Sequence, residues 1–240
     1  MTRLRSTSTA SKSKPIRKQT KSALKRQQIL DAAAKMFRER GYANATLNEI
    51  AAVAGTQAGS LYYYFTSREE LVEKVLEISM QKTAQHVAGA VAALRSDVPQ
   101  LLRVETAIRA HIASILTLDD YLIAYQKIIN QVPDDIKQHF IFFPRAYATF
   151  WKELIDAAQK SGELRADLSP TLMRLLLLGS ISWALEWYKP DGPNSPTDIA
   201  DHVVSIFFHG MLPQAATGAP PVRTAAKSHS RKRKRSASIR

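Results

Sequence analysis

The 240-residue chain contains no cysteine, which excludes disulfide bonds, thiolate chemistry and cysteine-bound metal ions. It also has no apolar run that approaches the length of a membrane span. The longest such run, residues 175–178, is soon followed by Ser180, Ser182 and Glu186. The basic N-terminus is not followed by the apolar core of a signal peptide. We therefore expect a cytoplasmic protein without a membrane partner.

Acidic residues are missing from both ends of the chain. Residues 1–28 contain nine Lys and Arg and residues 223–240 contain eight, whereas neither segment contains Asp or Glu. The ends hold 17 of the 34 basic residues, so the chain between them has 17 basic against 21 acidic residues. The formal charge of +13 therefore resides at the ends, where it indicates a polyanionic partner. Their composition predicts a disordered basic arm over residues 1–20 and a disordered basic tail over residues 213–240.

Helical periodicity runs through the rest of the chain without a strand pattern, so the sequence predicts an all-α fold. The first helix is expected to end at Gly41. Thr46 and Glu49 form a capping box at the start of a second helix. Gly55 then gives a tight turn before a third, short helix. Two short helices around a glycine turn predict a helix-turn-helix domain over residues 21–70.

A longer helix begins after Ser67, and the helical pattern then continues to residue 212. Pro144 is expected to kink or split one of these helices, because proline interrupts the helical hydrogen-bond ladder. We predict a helical ligand-binding and dimerisation domain over residues 71–212. The helices from Ser67 onward are expected near residues 67–94, 100–118, 121–132, 133–160, 170–188 and 195–210.

The second helix of a helix-turn-helix presents exposed side chains to the DNA major groove. Here those positions include Gln57 and Ser60, whose side chains can bond bases or phosphates, and Gly59, which lets the backbone approach. Tyr63 and Tyr64 add hydroxyl groups that can reach phosphates. We favour DNA contact over core packing for these two tyrosines, whereas the aromatic residues at positions 62 and 65 fit either role.

Four segments between residues 24 and 75 are FRERGY (37–42), TLNEIA (46–51), GSLYYYF (59–65) and SREEL (67–71). They resemble the signature of the TetR/AcrR family of transcriptional regulators. The resemblance implies a homodimer with nine helices per subunit, a palindromic double-stranded DNA operator, and a repressor released by a small effector. By position, it implies DNA contacts from Thr46, Asn48, Gln57, Ala58, Gly59, Ser60, Tyr62, Tyr63, Tyr64 and Arg68.

The chain departs from the family pattern at three places. Tyr64 stands where the family often has His, and Arg68 stands where it often has Lys. Both replacements keep a hydrogen-bond donor for phosphate. Thr56-Gln57 replaces a common Val-Ser pair, so the start of the recognition helix is expected to contact DNA differently.

Residues 150–154, 162–168 and 183–192 resemble the branch of this family that controls fatty-acid and steroid catabolism, whose members often respond to acyl-CoA thioesters. We expect an apolar effector cavity lined by Tyr121, Tyr125, Phe143, Tyr147, Phe150, Trp151 and Trp183. For any single aromatic residue we favour core packing, but the whole set beside Pro144 favours a cavity wall. Four cations are candidates either for an anion at the cavity mouth or for solvated surface charges: Lys127, Arg145, Lys152 and Arg174.

The last two predicted helices carry apolar stripes. In the family such helices from two subunits pair into a four-helix bundle. We therefore expect a dimer interface formed by Leu178, Ser182, Leu185, Val203, Ile206 and Phe207. Packing within one subunit would produce the same stripes, so both interpretations stay open from the sequence.

Two other classes of protein are alternatives to a regulator. An enzyme lacks support because the chain has no nucleophile elbow, P-loop or dinucleotide fingerprint. Asp198 and His202 lie at helical spacing near Asp201 and His209, but no further partner completes a metal site, so we expect neither metal nor cofactor. The second alternative is an architectural or nucleoid-associated DNA-binding protein that uses its charged ends and binds no effector.

Overall fold

The computed structural model describes residues 20–116, 119–140 and 144–211, without the side chain of Met211. Regular structure in these ranges is entirely α-helical, as the periodicity predicted. The helices are α1 (Lys21–Asn44), α2 (Leu47–Val53), α3 (Ala58–Leu61), α4 (Arg68–Ala92), α5 (Gln100–Ile115), α6 (Asp120–Ile128), α7 (Asp134–Phe140), α8 (Arg145–Lys160), α9 (Pro170–Trp187) and α10 (Pro196–Met211). None of the described helices combines the length and hydropathy needed to cross a membrane.

Local sequence signals fix several helix ends. The Thr20 hydroxyl accepts a hydrogen bond from the Ala23 amide at 3.2 Å and caps α1. Helical geometry in α1 breaks at Gly41, whose φ of 76° lies in the region that favours glycine. The predicted capping box is present, since Thr46 and Glu49 bond each other's backbone amides at 3.3 and 3.1 Å.

Pro144 separates α7 from α8, and it occupies the N-cap position of α8. Proline suits a helix start because it donates no backbone hydrogen bond. The predicted interruption is therefore a split into two helices. The described chain accordingly contains ten helices, one more than the family plan of nine.

The core consists of two apolar clusters. The first is formed by α1, α2, α3 and the start of α4, with Phe37, Ile50 and Leu61 fully buried. The second lies among α5, α8, α9 and α10. Helix α4 joins them, because Val75 belongs to the first cluster and Val87 to the second.

Helix α6 packs against α1 and completes the first cluster. It does so although the sequence places it in the second predicted domain. The contact is long-range in sequence and was not predicted. It brings a helix of the larger domain directly against the helix-turn-helix unit, which we define as α1, α2, α3 and the first turn of α4.

Candidate DNA-binding surface and effector cavity

The turn between α2 and α3 is held from both sides. Gly55 has a φ of 62°, and the Thr56 amide donates to the Ala51 carbonyl at 2.9 Å. Lys25 on α1 donates to the carbonyls of Ala54 and Gly55 at 2.9 and 3.0 Å. These bonds satisfy carbonyls at the C-terminus of α2, where a cation is also favoured by the helix dipole. Helix α1 thereby fixes the angle at which α3 leaves the turn.

Helix α3 is short, and all three tyrosines follow its end. Leu61 and Phe65 are buried and anchor the segment to the core. Tyr62 and Tyr63 lie in the turn between these anchors, with 60% and 81% of their surfaces exposed. Tyr64 is half-buried against the first cluster, and its ring meets that of Tyr63 edge-on at 5.0 Å between centroids. The tyrosine most available to a partner is therefore Tyr63.

The predicted DNA-contacting residues fall into two groups in the structure. Seven are exposed at the start of α2 or around α3: Thr46, Asn48, Gln57, Gly59, Ser60, Tyr62 and Tyr63. Ala58, Tyr64 and Arg68 are half-buried. Contact with DNA stays a prediction for all ten.

Arg68 has an internal role that sequence reasoning missed. Its guanidinium donates hydrogen bonds to the carbonyls of Tyr42 and Ala45, and it lies 4.0 Å from the centre of the Tyr42 ring. These contacts tie the start of α4 to the link between α1 and α2. Arg68 therefore positions the helix-turn-helix unit, whatever it contributes to phosphate binding.

The surface at the start of α2 also carries a negative charge, the carboxylate of Glu49. The Thr46 hydroxyl donates to the Glu49 carboxylate at 2.8 Å, and these hydrogen bonds hold the pKa of Glu49 below its usual value. Arg40 forms an ion pair with the same carboxylate. The start of α2 is thus locally neutralised rather than strongly positive. Cations for phosphate contacts have to come from elsewhere in the chain.

A cavity of about 470 Å³ lies among α4, α5, α6, α8 and α9. Its size falls within the range of small-molecule sites. Most of its wall is apolar, and the described lining residues are Ser79, Met80, Thr83, Ile115, Leu122, Tyr125, Gln126, Ala148, Arg174, Leu175, Leu178, Gly179, Ser182 and Leu185. The Tyr125 hydroxyl donates to the Phe140 carbonyl at 2.7 Å, and burial raises the pKa of Tyr125 to about 12. This phenol is neutral and is already engaged within the protein.

Helix α6 faces the cavity on one side and α1 on the other. Leu122 and Tyr125 line the cavity. The Tyr121 hydroxyl donates to the Asp31 carboxylate on α1 at 2.7 Å, and Lys127 donates to the Glu39 carbonyl at 2.8 Å. One nine-residue helix therefore touches both the cavity and the helix-turn-helix unit.

Comparison with known proteins identifies a family for the N-terminal and for the C-terminal part of the chain. Residues 29–75 match the model of bacterial regulatory proteins of the tetR family, and residues 98–211 match the tetracyclin repressor-like C-terminal domain. The chain belongs to the TetR family. The resemblance inferred from the sequence is thereby confirmed, and so is the assignment to DNA-binding regulators rather than enzymes.

Similar proteins include a transcriptional repressor and a regulator of fatty acid metabolism. The chain is 26% identical over 190 residues to the HTH-type transcriptional repressor KstR2 of Rhodococcus jostii, an alignment that covers 78% of this chain and 91% of that protein. It is 21% identical over 185 residues to the fatty acid metabolism regulator protein of Bacillus subtilis, with coverages of 77% and 94%. The solved structure of AibR in complex with isovaleryl coenzyme A and operator DNA matches with a TM-score of 0.64 at 23% identity, covering 77% and 98% of the two chains. At that identity the structural match shows the shared fold.

The aromatic residues predicted to line the cavity are mostly elsewhere, which corrects the sequence expectation. Only Tyr125 lines it among the six that the structure describes, and Phe143 lies outside the described residues. Tyr121 belongs to the first core cluster, and Trp183 is 66% exposed. Tyr147, Phe150 and Trp151 pack in or against the second core cluster. The aromatic face of α8 covers α5 instead, and Ala148 alone represents α8 in the described lining.

The missed lining residues carried a weak sequence signal. Ser79 and Thr83 are almost fully buried on α4 and line the cavity at a spacing of four residues. The Ser114 hydroxyl donates to the Thr83 hydroxyl at 3.3 Å. Small polar residues repeated on the buried face of an apolar helix indicate a polar wall behind that face. The aliphatic lining residues had no feature that separates a cavity wall from ordinary core.

Helix α9 presents a different apolar stripe from the predicted one. Leu178 is buried, and Leu178, Ser182 and Leu185 all line the cavity. The exposed apolar side chains of α9 outside the cavity lining are Leu172, Leu176, Trp183 and Trp187. On α10, Ile206 is 70% exposed, whereas Val203 and Phe207 are partly buried against the second cluster. The candidate interface on α9 is therefore the outer stripe, defined here as Leu172, Leu176, Trp183 and Trp187.

Proposed function

We propose that this TetR-family regulator is a repressor that binds a palindromic operator as a homodimer. It leaves the operator when a small apolar or acyl-CoA-type effector fills the cavity. Two similar proteins support this: KstR2 of Rhodococcus jostii is a repressor, and AibR has been solved with both isovaleryl coenzyme A and operator DNA. Because its target is chromosomal DNA, we place the protein in the cytoplasm.

The observation that carries the proposal is the double contact of α6. An effector can shift the DNA-binding equilibrium only through a part of the protein whose contacts differ between two states. Helix α6 lines the cavity through Leu122 and Tyr125 and is hydrogen-bonded to α1 through Tyr121 and Lys127. A ligand that displaces α6 therefore also displaces the helix that fixes the α2–α3 turn.

The outer stripe of α9 supports a dimer. Leu176 and Trp183 are about two-thirds exposed, and they lie on one face of the helix with Leu172 and Trp187. A contiguous exposed apolar stripe of this kind marks an interaction surface. A second copy of the same helix can cover it around a two-fold axis, and the resulting dimer presents two helix-turn-helix units to two half-sites.

The test starts from a random double-stranded DNA library, from which the full-length protein selects its preferred sites. Fluorescence anisotropy then measures affinity for the enriched sequence and for a scrambled duplex of equal length. We expect a two-fold symmetric sequence bound at least tenfold more tightly than the scramble, and a metabolite extract fraction that reverses the binding. Binding that ignores sequence and every metabolite would overturn the proposal and favour an architectural DNA-binding protein.

A further inference from the structure

The cavity has one formally charged side chain among its described lining residues, Arg174 on α9. The remaining polar lining side chains are neutral: Ser79, Thr83, Tyr125, Gln126 and Ser182. The rest of the wall is formed by aliphatic side chains, alanine and glycine. Arg174 is therefore the one position in the described wall where a charged group of a ligand meets a formal charge.

The cations near the cavity differ in what they bind. Lys82 pairs with Asp119 at 2.7 Å, and Lys152 pairs with Asp156 at 2.5 Å. Lys127 is bonded to backbone carbonyls of α1. The side chain of Arg174, by contrast, forms no hydrogen bond or ion pair with any part of the chain that the structure describes. Its guanidinium is therefore available to a ligand.

Arg174 is half-buried as a residue and lines an apolar wall. A charge in such a wall gains most when a ligand supplies a counter-charge or hydrogen bonds. An aliphatic side chain at position 174 would extend the apolar wall without a need for either. Guanidinium groups match the geometry of carboxylates and phosphates, to which they bond in a bidentate way. Arg174 thus supplies recognition of an anion at a position where it adds little to folding.

We propose that the effector is an amphipathic anion whose apolar body occupies the cavity and whose carboxylate or phosphate group pairs with Arg174. The proposal deepens the proposed function, on which it rests for the assumption that this cavity holds the effector. Met80, Ile115, Leu122 and Leu185 would contact the apolar body, and the Ser79 hydroxyl could donate to an oxygen atom of the ligand. The anionic group has two chemical sources, a free carboxylic acid and the phosphates of a coenzyme A thioester.

Isothermal titration calorimetry with the full-length protein separates these sources. The probes are octanoate, palmitate and cholate, each beside its coenzyme A thioester and its uncharged methyl ester. We expect at least one acid or thioester to bind and to lose about 10- to 100-fold in affinity in Arg174→Gln, the loss typical of a charged hydrogen bond. The corresponding methyl ester should bind wild type and Arg174→Gln with equal, weaker affinity. If the acid binds, the source is a carboxylate; if only the thioester binds, it is a phosphate.

Two further variants control the experiment. Arg174→Lys keeps the charge and should recover part of the lost affinity for the anions, whereas a role for Arg174 in packing alone would lower the affinity for the methyl esters in Arg174→Gln as well. Lys160→Gln removes an exposed cation at the end of α8, away from the cavity, and should bind like wild type. Equal binding of the anions by wild type and Arg174→Gln, preference for the methyl esters, or binding of no acid and no thioester would overturn the proposal. Anion binding that depends on Arg174 but leaves the operator complex intact would support it and count against the proposed repressor mechanism.

Discussion

At the scale of single residues, three consecutive tyrosines take different roles because two buried neighbours fix the backbone around them. Leu61 and Phe65 are buried in the first cluster. Of the residues between these anchors, Tyr62 and Tyr63 point outward, and Tyr64 packs partly inward. Residue type alone predicts none of this, since a tyrosine suits both a core edge and a DNA phosphate.

Tyr63→Ala should weaken operator binding about tenfold and leave the free energy of unfolding within about 0.5 kcal/mol of wild type, because the side chain is exposed. Tyr63→Phe should show most of the loss if the hydroxyl bonds a phosphate. Tyr64→Ala should also cost about 1 kcal/mol of stability, since it removes half-buried apolar surface. Fluorescence anisotropy and urea unfolding give both quantities, and wild-type DNA affinity in Tyr63→Ala would contradict the assignment.

His111 is a buried titratable residue in the second cluster. Its Nδ1 lies 2.9 Å from the Tyr147 hydroxyl, and its ring meets that of Trp151 at 6.0 Å between centroids. Burial lowers the pKa of His111 from about 6.5 to about 3, so the folded protein holds the neutral imidazole. Between these two pH values the unfolded chain binds one more proton than the folded chain at this position. Stability is therefore full above about pH 6.5 and is lost as the pH falls.

The free energy of unfolding should drop by about 1 kcal/mol between pH 6 and pH 5 through His111. His111→Asn keeps a polar atom near the Tyr147 hydroxyl but does not titrate, so its stability should stay nearly flat over that interval. Carboxylates whose pKa values are lowered, such as Glu70 and Glu163, lose their contribution mainly below the ordinary value of 4.5, and His111→Asn shares that loss with wild type. Urea unfolding at the two pH values measures this difference. An equal drop in the free energy of unfolding in wild type and variant would show that a group other than His111 takes up the proton.

Among the helices, α6 and α9 each have two faces that make different contacts. The cavity side of α6 carries Leu122 and Tyr125, and its α1 side carries Tyr121 and Lys127. The cavity side of α9 carries Arg174 and Leu178, while its outer stripe is exposed. A rigid helix moves as a unit, so a displacement at one of its faces also changes the contacts of the other face.

Tyr121→Phe removes the hydroxyl that bonds Asp31 and also accepts from Gln27 at 3.0 Å. Affinity for operator alone and for effector alone should each change less than about twofold. The effector-induced loss of operator affinity should shrink about 3- to 10-fold, since coupling between sites is typically 1–3 kcal/mol and part of it passes through this contact. Tyr188→Phe removes a tyrosine hydroxyl in the second cluster and serves as the control. If the effector lowers operator affinity as much in Tyr121→Phe as in wild type, this hydrogen bond does not couple the cavity to the helix-turn-helix unit.

Leu176→Asp places a charge on the outer stripe of α9. If this stripe is the dimer interface, the charge would be buried without a partner, and the dimer dissociation constant should rise roughly 100-fold or more. Operator affinity should fall with it, because one subunit grips one half-site. Leu102→Asp, at an exposed leucine of α5, is the matched control and should remain dimeric. Sedimentation velocity measures both, and a dimeric Leu176→Asp would exclude the outer stripe as the interface.

In the whole molecule, the excess positive charge lies at the two ends of the chain and not in the part between them. The chain between residues 29 and 222 has 17 basic and 21 acidic residues, while the ends carry the excess positive charge. Within α1, Lys25 is bonded to the α2 turn, and the Arg26 guanidinium lies 4.7 Å from the centre of the Phe65 ring. These two cations therefore stabilise the helix-turn-helix unit. The six Lys and Arg of residues 1–19 remain as a source of phosphate contacts.

Deletion of residues 1–19 spares the Thr20 cap and should weaken binding to every DNA sequence, because phosphate contacts carry no sequence information. Each lost contact should reduce the slope of log affinity against log salt by about one. The ratio of operator to scrambled affinity should largely survive. Deletion of residues 213–240 removes a comparable charge farther along the chain and should have a smaller effect. An unchanged salt slope after the first deletion would show that the arm does not contact DNA.

The amino-acid sequence was sufficient to predict the all-α class, the capping box of α2, an interruption of the helix at Pro144 and the family. These features depend on local signals such as the Thr46 capping box and the Gly55 turn, which work through neighbouring residues in the chain. The exposed positions at the start of α2 and around α3 followed for the same reason, apart from the partial burial of Ala58, Tyr64 and Arg68.

Which faces of the later helices line the cavity could be read only from the folded structure. Residues 175–178 of α9 are four consecutive leucines, so the helical period there marks no single buried face. The same holds for the contact between α1 and α6, whose partners are about 90 residues apart in the chain. Long-range packing therefore assigned Leu178 and Ser182 to the cavity, Trp183 to the surface and the aromatic residues of α8 to the core. It also selected Arg174 from the four candidate cations, because only the folded arrangement shows which one faces the cavity without a partner of its own among the described residues.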